Sequence, residues 1–432
     1  MPGHVLKREP EIPLICKYLG SCIIHPSRRL FYFAEWKTGD LTVEILGTNL
    51  RLYSYAAKES ITNRHFSSLP GFNSIYLPEN LTALNAGTPD GSSLFIEDDN
   101  RGAISPEPVA TIDGTDFHLS VKGIGSTTDP FSLRLLDTEY VASLTGDAGL
   151  RDKIRKANGA PARFITGELW LRGSPYGGQG LEHAATALRV SEMADITSIN
   201  GFRIAPVIRV VPLPEDMEME LKKIYWYRRF SGRIVQEIRL VPSNIRVYFH
   251  AGNVIGRNMR RIFDMFRVES NDRAYEFECN YIRSCIALLT LFPRTMAWKD
   301  NGRYTGLDFN DVWLDKDAVI SPDGTVYFVD LEGLEERTVD ADHVLDKIEE
   351  QLHRSLYEFM FAYEQIEHER ASRFGGVSDR RTQFRILVRE ALRNDPFIDV
   401  SDSGGSLILT IKNKLNEENL NKSFAIVDGD TL

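Results

Sequence analysis

The hydrophobic pattern changes period along the chain, and the change divides it. In the first part, apolar residues come in short runs with partial alternation. "RRLFYFAEW" and "LTVEILGTNLRLYSY" are aromatic and β-branched, and the second carries Leu41, Val43 and Ile45 at every other position. Both predict strands. A stretch rich in Gly, Pro, Asp and Ser follows from about 83 to 108 and predicts a boundary loop. "TDFHLSVKGIG" then alternates: Phe117, Leu119 and Val121 define one face, His118, Ser120 and Lys122 the other. "ARFITGELWLRG" is a further strand candidate. "LEHAATALRVSEMAD", with good helix formers and no Gly or Pro, predicts a helix over 181–195. Two Val/Ile/Arg-rich strands follow, in "GFRIAPVIRVVPLP" and "GRIVQEIRLVPSNIRVYFH".

After His250 the spacing becomes helical. "RNMRRIFDMF" and "AYEFECNYIRSCIALLTLF" place Phe277, Tyr281, Ile282, Cys285, Leu288 and Leu289 on one face. Another helix is expected from 341 to about 372, with Val344, Leu345, Ile348, Leu352, Leu356, Phe359, Met360 and Tyr363 as its stripe. A shorter one covers about 379–393. The tail offers one strand-like piece, "SLILTIK", followed by polar residues. Between the helical stretches lies "DAVISPDGTVYFVDLEG", two short strands about a Pro-Asp-Gly turn, with Asp317 and Asp330 at its open end.

Composition and charge narrow what such a chain can do. With 432 residues, 42% of them hydrophobic, it can bury a large core and more than one domain. A net charge of −10 argues against binding DNA by phosphate neutralisation. Cys16 and Cys22, like Cys279 and Cys285, have five residues between them, which fits no common zinc spacing; the second pair falls in a helical pattern and reads as reduced core. The start, MPGHVLKREPEIP, lacks the apolar run of a signal peptide, and no run reaches membrane-spanning length. A cytoplasmic protein without a membrane partner is expected.

Three features carry candidate chemistry. Lys122 ends a strand and enters a glycine turn. Gly123 and Gly125 let backbone approach phosphate oxygens there. "GSPYGGQG", with Gly178 and Gly180, precedes the 181–195 helix, whose N-terminus favours anions. In the hairpin, 330 − 317 = 13 residues separate Asp317 from Asp330, and two facing carboxylates suit Mg²⁺, which keeps several waters. Upstream, "GLDFNDVWLD" supplies Asp308, Asp311 and Asp315, one of which could orient or deprotonate an acceptor hydroxyl.

The order of these parts resembles the protein-kinase-like superfamily. There a strand lysine pairs with a helix glutamate, and a catalytic-loop Asn and a later aspartate bind metal. Asp317 would stand for that Asn, and Asp330-Leu-Glu-Gly for Asp-Phe-Gly. Around the lysine, "VKGIGSTTDPFS" is similar to the corresponding segment of the selenoprotein O family, kinase-fold enzymes that transfer AMP to protein hydroxyls. "GGQGLEHAATALRVSEMA" and "GFRIAPVIRV" resemble that family's next segment. The likeness spans roughly 115 to 335. It implies an α+β, bilobal kinase-like fold with a β-rich N-lobe and a helical C-lobe, to which the strand patterns of the first 110 residues, outside the likeness, add an extra β-rich N-terminal region. The divisions expected are 1–110, 111–252, 253–395 and 396–432. It implies ATP and Mg²⁺ as cofactors and a nucleotide partner. The acceptor would be a hydroxyl of a protein or small molecule, with adenylyl transfer favoured over phosphoryl transfer. The family's helix glutamate falls on Ala187, so Glu182 or Glu192 would pair with Lys122. No Gly-x-Gly-x-x-Gly precedes Lys122 and no His-Arg-Asp precedes the hairpin. A pseudokinase used as a nucleotide-binding interaction module is therefore the alternative, and a β-rich interaction protein without a nucleotide site is a third.

Overall fold

The computed structural model describes residues 51–67, 73–78, 89–96, 102–123, 179–222, 232–243, 259–260, 262–264, 266–299, 302–309, 317–375, 379–403, 406–411 and 422–427. It is a mixed α+β protein whose sheets pair antiparallel within themselves. Two compact units divide the chain, Met1–Glu192 with Pro206–Asn244, and Met193–Ala205 with Ile245–Leu432. Among the described residues no helix is long and apolar enough to cross a membrane. The expected strands at "RRLFYFAEW" and "ARFITGELWLRG" lie outside the described residues.

The first unit is built on one nine-stranded sheet. Its strands are β1 (Arg51–Ala56), β2 (Ile61–Thr62), β3 (Ser74–Pro78), β4 (Pro89–Ile96), β5 (Gly102–Ile112), β6 (Thr115–Lys122), β7 (Gln179–Gly180), β10 (Val207–Pro212) and β11 (Ile234–Val241). The order is β2-β10-β11-β6-β5-β4-β1-β3, with β7 on β11. Helix α1 (Leu181–Met193) follows β7, and a short helix α2 (Glu215–Lys222) follows β10.

Such a sheet cannot be flat. From β1 to β2 the path crosses six strand intervals, about 29 Å at the usual spacing of about 4.8 Å. The chain joins Ala56 to Ile61 directly, and five residue steps reach about 17 Å at most. The sheet must curl until its two ends approach. Gln236 of β11 marks the closure. Its Oε1 accepts from the Tyr76 N–H at 2.9 Å and its Nε2 donates to the Tyr76 carbonyl at 2.8 Å. β3 is an edge strand, and Gln236 covers backbone groups that would otherwise stand open. β11 is buried along its whole length, on both faces. At the other edge the buried Asn63 ties β2 to β10, donating to the Val207 carbonyl at 2.8 Å.

The stretch expected as a loop over 83–108 holds β4 and most of β5 instead. Pro106 and Pro108 break the alternation that would have announced a strand. β5 accommodates them by shifting register between Ile104 and Pro108 and again before Ala110. At the first shift the Ser105 hydroxyl takes the place of a backbone acceptor, receiving the Leu119 N–H at 3.0 Å. β5 also runs across residue 110, so the strands before it and the strand carrying Lys122 share one sheet.

The second unit starts with the tiny hairpin β8 (Ser198–Ile199) and β9 (Phe202–Arg203). Among the described residues its longer helices are α3 (Asn271–Leu289), α4 (Leu291–Thr295), α5 (Val344–Phe374) and α6 (Arg380–Ala391). Its other strands are β12 (Ala297–Lys299), β13 (Arg303–Phe309), β14 (Ala318–Ile320), β15 (Val326–Phe328), β16 (Leu334–Asp340), β17 (Ile398–Ser403), β18 (Ser406–Ile411) and β19 (Lys422–Val427). α3 begins where the Ser270 hydroxyl caps the Arg273 N–H. It buries the expected face, Phe277, Tyr281, Ile282, Cys285, Leu288 and Leu289, and packs against α5 and α6. Both of its cysteines are reduced and buried, as the pattern implied. β13 lies between β12 and β16; neither β13 nor β16 was evident from alternation. The tail forms a three-stranded sheet, β17-β18-β19, where a single strand was expected. Segment 193–205 joins the second unit through β15, the Ala205 N–H donating to the Phe328 carbonyl at 2.8 Å and the Phe202 and Phe328 rings lying 5.8 Å apart.

Replacing Gln236 with Leu keeps the volume and removes both bonds to Tyr76. Leaving a buried backbone donor and acceptor without that partner should cost about 1–3 kcal/mol. Urea unfolding of the variant should show a lower midpoint with little change in slope.

Candidate functional site

In the first unit, Lys122 is the last residue of β6, and Gly123 turns the chain with φ +92, a conformation L side chains rarely adopt. The apolar face of β6, Phe117, Leu119 and Val121, is buried as the alternation predicted. The opposite face is buried as well: His118 and Ser120 are nearly inaccessible and Lys122 is half-buried. β6 is interior, flanked by β5 and β11. His118 Nδ1 lies 3.1 Å from the Ser105 carbonyl, and burial pushes its pKa below the ordinary value. The ring is therefore neutral near pH 7 and Nδ1 is the donor.

The register sets Gly102 on one side of Lys122 and Glu237 of β11 on the other. Directly opposite residues place their Cβ atoms about 4.5–5.5 Å apart. Glu237 has no solvent exposure. One of its oxygens accepts from Gln179 Nε2 at 2.7 Å, and the other receives the guanidinium of Arg239, two residues along the same face. The glutamates expected beside Lys122 stand elsewhere in the bonding pattern. Glu192 accepts the Arg64 N–H at 3.0 Å, while its carbonyl takes Arg64 Nη2 at 2.8 Å. Glu182 is exposed in the first turn of α1. Ala187 is buried on the inner face of that helix. Glu237 was missed by sequence reasoning, although "IVQEIRL" gives a signal: three polar residues inside an apolar strand. Gly180 pairs with Ile234 just before α1. Gly125 and Gly178 lie outside the described residues.

In the second unit, β14 and β15 pair as the hairpin predicted, Ala318 opposite Phe328 and Ile320 opposite Val326. The ladder extends one step further, with the Val329 N–H donating to the Asp317 carbonyl at 2.8 Å. Asp330 is the next residue. Adding one 3.8 Å chain step to an ordinary cross-strand spacing puts the two aspartate Cα atoms within about 9 Å. Asp317 is 4% exposed and Asp330 is half-buried, at the start of the turn Leu331–Gly333. Two such carboxylates are a donor set that Mg²⁺ accepts, water filling its other positions.

The far end of the hairpin is fixed to α3. Gly324 turns with φ +88, and a Cβ there would collide with the Phe277 carbonyl oxygen. Asn280 Nδ2 donates to the Asp323 carbonyl at 2.9 Å, and the Val326 N–H donates to Ser284 Oγ at 3.1 Å. Phe277, Asn280 and Ser284 share one face of the helix. Asp323 is occupied within the turn, accepting from the Thr325 N–H at 3.1 Å and the Thr325 hydroxyl at 3.0 Å.

Asp308, a candidate for the acceptor side, is 3% exposed on β13 and lies 2.5 Å from Lys347 Nζ of α5. Asp311 and Asp315 lie outside the described residues. Asp340, Asp342 and His343 form the one group of three potential metal ligands among the described residues. All three are exposed. Asp340 is 3.1 Å from Arg303 Nε, and Asp342 is 3.1 Å from His343 Nδ1. Comparison of the chain with protein-family models, with curated proteins and with solved structures finds no match.

Gly324→Ala tests the grip of α3 on the hairpin. The positive φ alone should cost about 1–3 kcal/mol, and the contact with Phe277 adds to it. Hydrogen exchange should quicken at Val326 and Val329 before it quickens in the tail sheet.

Proposed function

We propose that the protein is an ATP- and Mg²⁺-dependent transferase of bilobal, kinase-like plan, acting on a hydroxyl of a protein or small molecule. The observation that carries this reading is the hairpin, which gathers Asp317 and Asp330 at one open end and is anchored at the other. Supporting it, β4, β5 and β6 follow one another as antiparallel neighbours, so that the lysine stands on the third strand of a run, with α1, β10 and β11 after it. In protein kinases the phosphate-binding lysine is also on the third strand.

Lys122 supplies the cation for phosphate oxygens, beside a glycine whose backbone is free to approach them. Asp317 and Asp330 would hold the metal, which would supply positive charge to the phosphates. Asp308 has its charge matched by Lys347, so Asp311 is the better candidate to take the acceptor proton. The acceptor oxygen bonds to a phosphorus and its proton passes to that acid. Attack at the α-phosphorus expels pyrophosphate, and attack at the γ-phosphorus expels ADP. The segment "VKGIGSTTDPFS" favours the first. A non-catalytic, nucleotide-binding module is the second reading, favoured by the Asp308–Lys347 pair and by the missing His-Arg-Asp.

Thermal melts with ATP, with and without Mg²⁺, separate these readings from one with no nucleotide site. A ligand that binds only the folded state adds about 2.7 kcal/mol at a hundredfold excess over Kd. The melts should differ, and Asp330→Ala should abolish the difference. Label from α-³²P-ATP should then enter an acceptor, with loss of transfer in Lys122→Ala. Label from the γ position alone means phosphoryl transfer. Binding without transfer of either label means the non-catalytic module.

A further inference from the structure

The strand pairing of the first unit turns one cation away from an acid it would otherwise meet. Val207 of β10 faces Arg239 of β11. Two residues on in an unbroken antiparallel ladder, Arg209 would face Glu237, the two side chains close enough to pair. Instead the register shifts between Val207 and Arg209, and Arg209 faces Ile238. A slip of one residue carries a side chain to the opposite face of a sheet, and bulges re-aim side chains in this way. β2 holds the bulge in place. The buried Asn63 donates its backbone N–H to the Ile208 carbonyl at 3.0 Å and its side-chain amide to the Val207 carbonyl at 2.8 Å.

On this face Arg209 meets hydroxyls. Thr62 of β2 stands opposite it. Nη1 reaches Ser60 Oγ at 3.4 Å, near the limit of a hydrogen bond, and Nε is buried with no hydrogen-bond partner. Among the described residues Arg209 forms no ion pair; Glu59, beside Ser60 in the chain, lies 3.8 Å from Arg233 instead. A partly buried guanidinium served so poorly costs stability. An apolar side chain of similar length would fill the place better.

We propose that Arg209, Thr62 and Ser60 form a binding site for a phosphate group. The donors select that ligand. Arg209 is a permanent cation whose planar fork takes two oxygens of a phosphate at once. Ser60 can exchange its marginal contact for a bond to the ligand, and Thr62 offers a second hydroxyl from the facing strand. Three donor side chains suit the three terminal oxygens of a phosphate, whereas a carboxylate has two and would leave a hydroxyl unused. β2 is the edge strand of the sheet, so a ligand can arrive from solvent. The site is distinct from the lysine: Lys122 pairs opposite Glu237, on the face from which the bulge removes Arg209. It therefore does not depend on the reading of Lys122, Asp317 and Asp330 given above.

Thermal melts of the full chain in sodium phosphate and in sodium chloride, at one pH and one ionic strength, test the site. The melting temperature should rise with phosphate concentration, as it does for a ligand that binds only the folded state. Phosphate also strengthens burial generally, by exclusion from the protein surface, so the specific part is the part that Arg209→Met removes. Without phosphate Arg209→Met should melt no lower than the wild type. With phosphate its rise should be smaller, matching an affinity weaker by about tenfold or more, the loss expected for hydrogen bonds to a charged group. Arg209→Lys, which keeps the charge without the fork, should fall between the two. Lys122→Ala should keep the full rise. An equal rise in the wild type and Arg209→Met overturns the proposal, as does a rise kept in Arg209→Met and lost in Lys122→Ala. Hydrogen exchange of the wild type gives a check that needs no variant. Phosphate should slow the Ile61, Thr62 and Asn63 amides, and slowing no greater there than in the tail sheet overturns the site. A second series with phosphoserine separates the sources of the group: tighter binding than inorganic phosphate assigns the site to a phosphate ester, and equal binding assigns it to the free ion.

Discussion

Three side chains of α3, Phe277, Asn280 and Ser284, grip the turn of the hairpin, and the placement of Asp317 and Asp330 follows from that grip. A two-stranded hairpin alone is marginal in water. Here the turn cannot slide, because Gly324 is pressed on the Phe277 backbone and two hydrogen bonds fix the strand entry. With one end immobilised, the short ladder transmits its register to the other end, where the carboxylates sit. The same helix turns its other sides to α5 and α6. Substitutions between those helices can therefore reach the acids without touching them.

The first unit answers a different constraint. A long antiparallel sheet leaves two edges, and this one curls until an edge strand meets the face of β11. Gln236 and Glu237, neighbours pointing to opposite faces, are both fully buried. One closes the sheet on Tyr76 and the other, with Gln179 and Arg239, lines the face that carries Lys122. Buried polar groups of this kind favour one arrangement, because a slipped register would leave each of them without its partner.

Most of what was legible in the sequence was local. The alternation of β6, the glycine that ends it, the helix-forming run of α1, the helical stripe of α3, the helix expected at α5 and the Pro-Asp-Gly turn each depend on residues close in the chain. What escaped was set by distant partners or by irregularity. β5 was hidden by Pro106 and Pro108, which a bulged strand tolerates once Ser105 supplies an acceptor. β13 and β16 need each other before either reads as a strand. Lys347 neutralises Asp308 from a helix beyond the hairpin. Glu237 comes to lie opposite Lys122 only through the pairing of β6 with β11, and no spacing rule between those two positions announces it.

The route of the chain has a consequence for how the protein is made. Residues 193–205 serve the second unit, yet they lie between α1 and β10, which belong to the first. As the polypeptide emerges, that segment appears long before Phe328, whose carbonyl Ala205 binds. Bringing the two together closes a loop that contains β10 and β11, and such distant contacts form slowly. The second unit is therefore complete only once 193–205 has joined it. A chain begun at residue 245 would expose the face of β15 that Phe202 and Ala205 cover, and a protease fragment lacking 193–205 would not be a fair sample of the intact unit.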